Sequence, residues 1–453
     1  MAPTTFSDAM ARTPVRPFQW AIIATCMLVL VCDGIDLQLL GIVAPLVIDS
    51  FGTTRDAFGL AMGAALVGFG LGSWSGGKLG DAIGRRWTLA LAALVFSLAT
   101  MGASLAGDVV EMAWWRVVSG LGFGAAYANA LALVGEWLPD RWRSVAVSTL
   151  SVGTPIGGTI VGWIGPDLAT AYGWDGAFVR IGFATLALVV VIVVVLRDSP
   201  SFLLAFGRRE AAQRNARLVL AEDVELVPER HSTDGPDGAF IGVLDRSNLR
   251  LNIGIALAFA GAAMVAYSIL SWTTVMLTDR GVSLQAAGDV VALAGITSIV
   301  GSVIVGLAIR HYGSKPVMLL ISAALVALLI ASAWAVERLS PVPAGDEVAL
   351  VKWLLGASAA FFSAGIAGMY VMMTFAYPQS CRSAGIGFGI FMSRVGAISA
   401  TLFGGSLLTL GGASVLPFFA VLVASACLIA AAAFVVDRHV PPLAVLEAVP
   451  GHA

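Results

Sequence analysis

Asp33-Gly34-Ile35-Asp36 sets two carboxylates three residues apart within an apolar run from Trp20 to Ile48. On a helix, residues i and i+3 share a face about one turn long. A charge at the centre of a bilayer costs about 2.5–3.5 kcal/mol on insertion scales, so an idle pair there is not expected. Two close carboxylates in low dielectric cannot both ionise cheaply. One of them is therefore expected to hold a proton and pass it on; the plainer alternative is a static ion pair tying two helices together. Arg116 and Arg394 also lie deep in apolar runs, and the four formal charges sum to zero. Guanidinium meets a carboxylate with two parallel hydrogen bonds. Arg394 is thus the candidate for holding an organic anion, unless it only balances Asp33 or Asp36. Arg116 is expected near the depth of Asp36, where it either holds a deprotonated carboxylate or serves packing and topology.

These residues need elements that cross a bilayer. The chain of 453 residues is 58% hydrophobic and 12% charged, roughly half the charge density of a soluble protein. About 20 apolar residues cover roughly 30 Å of hydrocarbon. Such spans are read at 20–47, 57–77, 87–106, 112–137, 145–166, 177–196, 252–277, 286–308, 315–336, 349–376, 384–409 and 414–436. The runs are continuous rather than alternating, which excludes a β-barrel. The 51 glycines allow close helix approach. The expected fold is an all-α membrane protein of twelve transmembrane helices.

The same inventory excludes much else. Cys26, Cys32, Cys381 and Cys427 form no CxxC pair, and His231, His311, His439 and His452 fall in loops or tails. No metal site and no cofactor are expected. There is no basic tract for nucleic acid, no phosphate-binding Gly-x-x-x-x-Gly-Lys loop and no Gly-x-Ser-x-Gly nucleophile turn. The chain therefore reads as neither an ATP-driven pump nor an enzyme.

With the N-terminus inside, eleven basic residues fall in loops on the cytoplasmic side and four on the other, before the central loop is counted. That asymmetry places both termini in the cytoplasm. The expected organisation is a tail at 1–18, a six-helix bundle at 19–196, a central cytoplasmic loop at 197–250, a second bundle at 251–436 and a tail at 437–453. The central loop reads as a solvated linker. The two halves echo each other. Gly77-Lys78-Leu79-Gly80-Asp81-Ala82-Ile83-Gly84-Arg85-Arg86 matches Gly306 to Lys315 in its two glycines and final basic residue, and Pro139 to Ser144 matches Pro378 to Ser383. A duplicated six-span unit builds two pseudo-symmetric bundles with a midplane site between them, and rocking gives alternating access.

Gly-x-x-x-Asp-x-x-Gly-Arg-Arg at residues 77–86 resembles the loop signature of the major facilitator superfamily. Arg116-x-x-x-Gly120 is similar to a second superfamily motif, and Asp198 to Leu204 resembles the segment after span 6 in many members. More narrowly, Asp33-Gly34-Ile35-Asp36 with Gly41 and Pro45 resembles the first span of the aromatic acid:proton symporters. So does Tyr377-Pro378 through Arg382-Ser383 to Ser393-Arg394-Val395-Gly396-Ala397.

The resemblance implies proton-coupled uptake of an aromatic carboxylate, of hydroxybenzoate or phenylpropionate type, across a bacterial cytoplasmic membrane by a monomer. Another small organic acid, export, or a sensor that binds such acids without transport are the alternatives. Asp33, Asp36 and Arg116 would couple the proton and Arg394 would bind the substrate carboxylate. Asn129 and Gln38 would bond ring hydroxyls, and Tyr267, Trp272 and Tyr370 would stack on the ring, a lipid-facing position being the rival for each aromatic. Gly77, Asp81, Gly84, Arg85 and Arg86 would brace span 2 against span 11 as a gate. Glu136, with the Arg143 and Arg382 loops, would complete it. Ser314 and Arg310 depart from the motif in the second half, so the first half should hold the dominant gate. Pro155, in Gly153-Thr154-Pro155-Ile156-Gly157-Gly158, is expected to kink span 5.

Overall fold

The computed structural model describes residues 4–11, 13–139, 141–142, 146, 149–220, 226–228, 242–377 and 381–442. Fourteen α-helices run through the described residues: α1 (Phe6–Ala11), α2 (Pro17–Phe51), α3 (Arg55–Ile83), α4 (Arg85–Ala103), α5 (Val109–Trp137), α6 (Gly153–Val195), α7 (Pro200–Ala205), α8 (Arg209–Ala216), α9 (Leu249–Thr278), α10 (Leu284–Tyr312), α11 (Ser314–Glu337), α12 (Gly345–Ala376), α13 (Arg382–Gly411) and α14 (Leu416–Val435). Eleven of these are long and apolar enough to cross a membrane. The twelfth span is contained in α6, whose 43 residues turn at Gly173 (φ 77°, ψ 166°). Only glycine takes that backbone readily, so Gly173 separates the fifth span from the sixth.

Local chemistry starts and stops these helices. The Thr54 hydroxyl accepts from Ala57 N at 3.3 Å, and the Asp108 carboxylate accepts from Val110 N and Glu111 N at 2.8 Å. Each satisfies donors that the first turn cannot pair internally. Thr149 and Leu150 are helical, Ser151 and Val152 form a turn, and α6 starts at Gly153, so the helical run of span 5 breaks just ahead of Pro155. In the first turn of α6 the missing N–H of proline costs nothing. The α3–α4 and α10–α11 corners turn on Gly84 (φ 100°) and Gly313 (φ 83°), equivalent positions of the internal echo.

The packing pattern is itself duplicated. In the first half α3 lies on α5, α2 on α6, and α4 on both α5 and α6; in the second, α10 lies on α12, α9 on α13, and α11 on both α12 and α14. Lipid is as apolar as leucine, so close van der Waals fit, rather than escape from water, holds such helices. Gly34 shows the fit: a Cβ there would collide with the Thr154 carbonyl, so α2 and α6 touch backbone to backbone. Aromatic residues next to cations ring both ends, with Lys78 Nζ 3.8 Å above Trp74 and Arg338 Cζ 4.6 Å above Trp334. Such pairs suit the membrane–water interface.

The halves meet through α3–α13, α6–α10 and α2–α9. One large core runs from one half into the other, including Leu39 to Val47, Phe58, Trp272 and Leu277. Two smaller cores each stay within one half. Arg197 to Leu220 is not the solvated linker expected of it. The Leu203 and Leu204 side chains of α7 and Ala212 and Ala216 of α8 are buried with Phe6 and Met10 of α1. Trp137 anchors this collar, its indole donating to Arg197 O at 3.1 Å and its ring edge-on to Phe6 and Phe18. The central segment could bury apolar side chains on the first half, so its first part folded there.

Candidate functional site

The two aspartates of α2 part company. Asp36, 1% exposed, accepts from Arg116 Nη1 at 2.6 Å and from Thr100 Oγ1 at 2.7 Å. Arg116 Nη2 also donates to the Asp36 carbonyl at 3.2 Å. This pair is sealed between α2, α4 and α5. Removing one partner of a buried pair costs about 3–5 kcal/mol, because the other charge is left uncompensated. Asp36→Asn and Arg116→Gln should each destabilise the protein by that order. The double variant should recover a large part of the loss, read as the melting temperature in detergent. Strictly additive losses would contradict the pairing.

Asp33 faces elsewhere. Its carboxylate accepts from Thr154 Oγ1 of α6 at 3.3 Å and lies within electrostatic reach of Arg394 of α13. Arg394 donates from Nη1 to the Tyr267 hydroxyl at 3.1 Å, and its Cζ stands 4.2 Å from the Phe69 ring centroid. No protein acceptor faces its Nε or Nη2 among the described residues. Tyr127 and Tyr370 also lie within electrostatic reach of the guanidinium. Tyr127 leans on Phe69 (5.6 Å, 59°) and Tyr370 meets Phe259 edge-on (5.2 Å, 89°). The site therefore holds one carboxylate, one guanidinium with spare donors, and aromatic walls drawn from both halves.

The remaining predicted residues fall in three places. Gln38 is buried on the chain, against Gly158 of α6. Asn129 is engaged by other partners: its amide donates to Gly76 O and Ala125 O at 2.8 Å, which ties α3 to α5, and its Oδ1 accepts from Arg85 Nη1 at 3.5 Å. Trp272 is fully buried against Gly404 and Gly405 of α13, part of the seam between halves rather than an open wall. In both cases helix packing has consumed the group expected to meet a ligand.

The loop residues pair within the first half. Arg85 bonds Asp81, Glu136 (3.1 Å) and the Gly77 carbonyl (3.2 Å), and the backbone of Arg86 donates to Asp198 at 3.2 Å. These contacts brace α3 against α5 and against the start of the central segment, not against α13. A Cβ on Gly77 would meet open space, whereas one on Gly84 would lie 2.6 Å from Asp198 Oδ1. Arg143 and the side chain of Arg382 lie outside the described residues. In the second half Ser314 instead takes the C-terminal tail, bonding His439 Nδ1 at 3.1 Å and Val440 N at 2.9 Å.

α3 meets α13 from the opposite end to mid-span, where Phe69 faces Arg394. Gly59 abuts Leu402, Gly405 abuts Arg55, and Thr274 of α9 donates to the Gly41 carbonyl of α2. Arg55 pairs with Asp279 at 2.7 Å, joining the halves. A partly exposed pair contributes about 0.2–1 kcal/mol. Arg55→Ala should therefore raise labelling of a cysteine placed at Leu402 by about 1.4- to 5-fold. Unchanged labelling would show that the seam closes without the pair.

Sequence reading missed Phe69, Tyr127, Thr154 and Thr100. Tyr127 carried a signal: with Gly120 and Gly124 it follows the i, i+4, i+7 spacing of one helix face. That face is the one pressed on α3.

Two repeated six-span bundles around a charged midplane site are the geometry of an alternating-access carrier. The model of the Major Facilitator Superfamily matches residues 26–351. The chain belongs to that superfamily. Its members are membrane transporters, and this chain is a multi-pass transporter and not an enzyme. It is 28% identical over 416 residues to the gallate transporter of Pseudomonas putida, with 90% of each chain covered. It is 27% identical to the 4-hydroxybenzoate transporter PcaK of Pseudomonas aeruginosa, with 88% of each covered. A third relative is the 3-(3-hydroxy-phenyl)propionate transporter of Escherichia coli, 26% identical over 87% of this chain and 88% of that one. The fold matches the inward-open xylose transporter XylE of Escherichia coli with a TM-score of 0.70 and 16% identity, over 95% of this chain and 99% of that one.

Proposed function

We propose that the protein is a proton-coupled symporter that brings an aromatic carboxylate into a bacterial cell across the cytoplasmic membrane. The observation that carries this reading is Arg394: among the described residues its Nε and Nη2 donors have no protein partner, while Phe69 and Tyr267 touch it and Asp33 lies within electrostatic reach. A carboxylate is the planar, two-oxygen anion that such a fork accepts. The phenols of Tyr127, Tyr267 and Tyr370 supply stacking faces and hydrogen bonds for a hydroxylated ring. The names of the relatives point to the same cargo.

Charge bookkeeping gives the coupling. With Asp33 ionised, the empty site is neutral through Arg394. An arriving anion takes the Arg394 donors while a proton neutralises Asp33, so the loaded site is neutral as well. The bundles then rock without carrying unpaired charge through low dielectric. The Asp36–Arg116 pair stays neutral throughout and fixes α2 on α5. Both termini and the Arg85 end lie in the cytoplasm by the distribution of basic residues. The Arg55–Asp279 seam then closes the outer side, and a single chain in the bilayer contains the whole pathway.

The test is accumulation of labelled benzoate, 4-hydroxybenzoate, protocatechuate, gallate and 3-hydroxyphenylpropionate by proteoliposomes under an inward proton gradient. At least one should accumulate, and an uncoupler should abolish it. Downhill movement without accumulation, or binding without movement, would refute the symporter reading.

A further inference from the structure

Phe69 is held more firmly than an aromatic wall requires. A Cβ on Gly120 of α5 would stand 2.9 Å from Phe69 N, and one on Gly124 would collide with Phe69 O. Two glycines thus clamp the backbone of α3 on both sides of Phe69, and Tyr127, one turn on, leans against its ring. The ring presents its face to Arg394, 4.2 Å from Cζ, across the boundary between the halves. Leu66 of α3, Ala263 of α9 and Ala397 of α13 form a small buried cluster beside it, again drawn from both halves.

Stacking uses the face of a guanidinium and leaves its in-plane N–H groups free. Phe69 beside Cζ and Tyr267 on Nη1 hold the guanidinium at two points, which restricts where Nε and Nη2 point. We propose that Phe69 is a positioning residue: across the boundary between the halves, it aims Arg394 at the carboxylate. The inference rests on the reading of Arg394 as the carboxylate site.

Phe69→Leu keeps most of the volume and removes the π face. In proteoliposomes fed labelled 4-hydroxybenzoate, it should raise KM by about 5- to 30-fold, equivalent to about 1–2 kcal/mol, with kcat within about twofold of wild type. Phe69→Trp should restore KM to within about threefold. A role in packing alone would lower the amount of folded protein without this split, and tryptophan would not rescue it. The proposal is overturned if Phe69→Leu leaves KM unchanged while Arg394→Gln abolishes uptake, or if Phe69→Trp is as impaired as Phe69→Leu. Normal uptake by Arg394→Gln would instead remove the carboxylate site itself, and the proposal with it.

Discussion

Asp33→Asn is expected to abolish proton-driven accumulation, by about 100-fold or more, while leaving exchange of labelled for unlabelled substrate intact. Asparagine keeps the shape of aspartate and still accepts from Thr154 Oγ1, which stands 3.3 Å from the native carboxylate. It cannot take up a proton. When substrate is bound, its anionic carboxylate balances Arg394 and the site remains neutral, so loaded bundles can rock in both directions. When the site is empty, Arg394 faces no counter-charge. Moving that uncompensated cation through the closed state costs several kcal/mol. At 1.36 kcal/mol per decade, about 3 kcal/mol is enough for the 100-fold loss. Counterflow into preloaded proteoliposomes, set beside net uptake, separates the two steps. Loss of both would make Asp33 a substrate-binding or structural group. Loss of neither would exclude it from coupling.

Arg394→Gln should remove net uptake and exchange together. Truncating one side of a buried hydrogen-bonded charge pair costs about 2–5 kcal/mol, which corresponds to about 30- to 5,000-fold in affinity. Arg394→Lys should recover only part of this, because an ammonium is a point charge without the two-pronged fork. Lysine should also lose the contact that puts Arg394 Cζ 4.2 Å from the Phe69 ring centroid. Exchange rates against substrate concentration give the readout, with Asp33→Asn as the contrast. Arg394→Gln with native exchange would place the carboxylate elsewhere.

The architecture was legible because a bilayer permits few solutions. Apolar runs of about 20 residues must be helices when no water can satisfy the backbone, and the repeated Gly84 and Gly313 corners marked the duplication. What stayed hidden is rotation about each helix axis. Asp33 and Asp36 look alike at i and i+3, yet the sealed contact of Asp36 with Arg116 and Thr100 depends on how α2 sits between α4, α5 and α6. Asn129 and Trp272 are polar or aromatic in the right spans, but α3 and α13 had already packed against them. Phe69 has no polar group to draw the eye, and only the approach of Arg394 from the other half gives it a role. The folding of α7 and α8 onto α1 escaped notice because their apolar faces are short and sit among arginines.

The central claim is that one proton rides on Asp33 with each anion. The measurement that tests it most directly is the pH of a weakly buffered medium when 4-hydroxybenzoate is added to de-energised proteoliposomes. Wild type should alkalinise the medium as anion and proton enter together, and Asp33→Asn should not, although it still exchanges substrate. Alkalinisation that persists undiminished in Asp33→Asn would contradict the account.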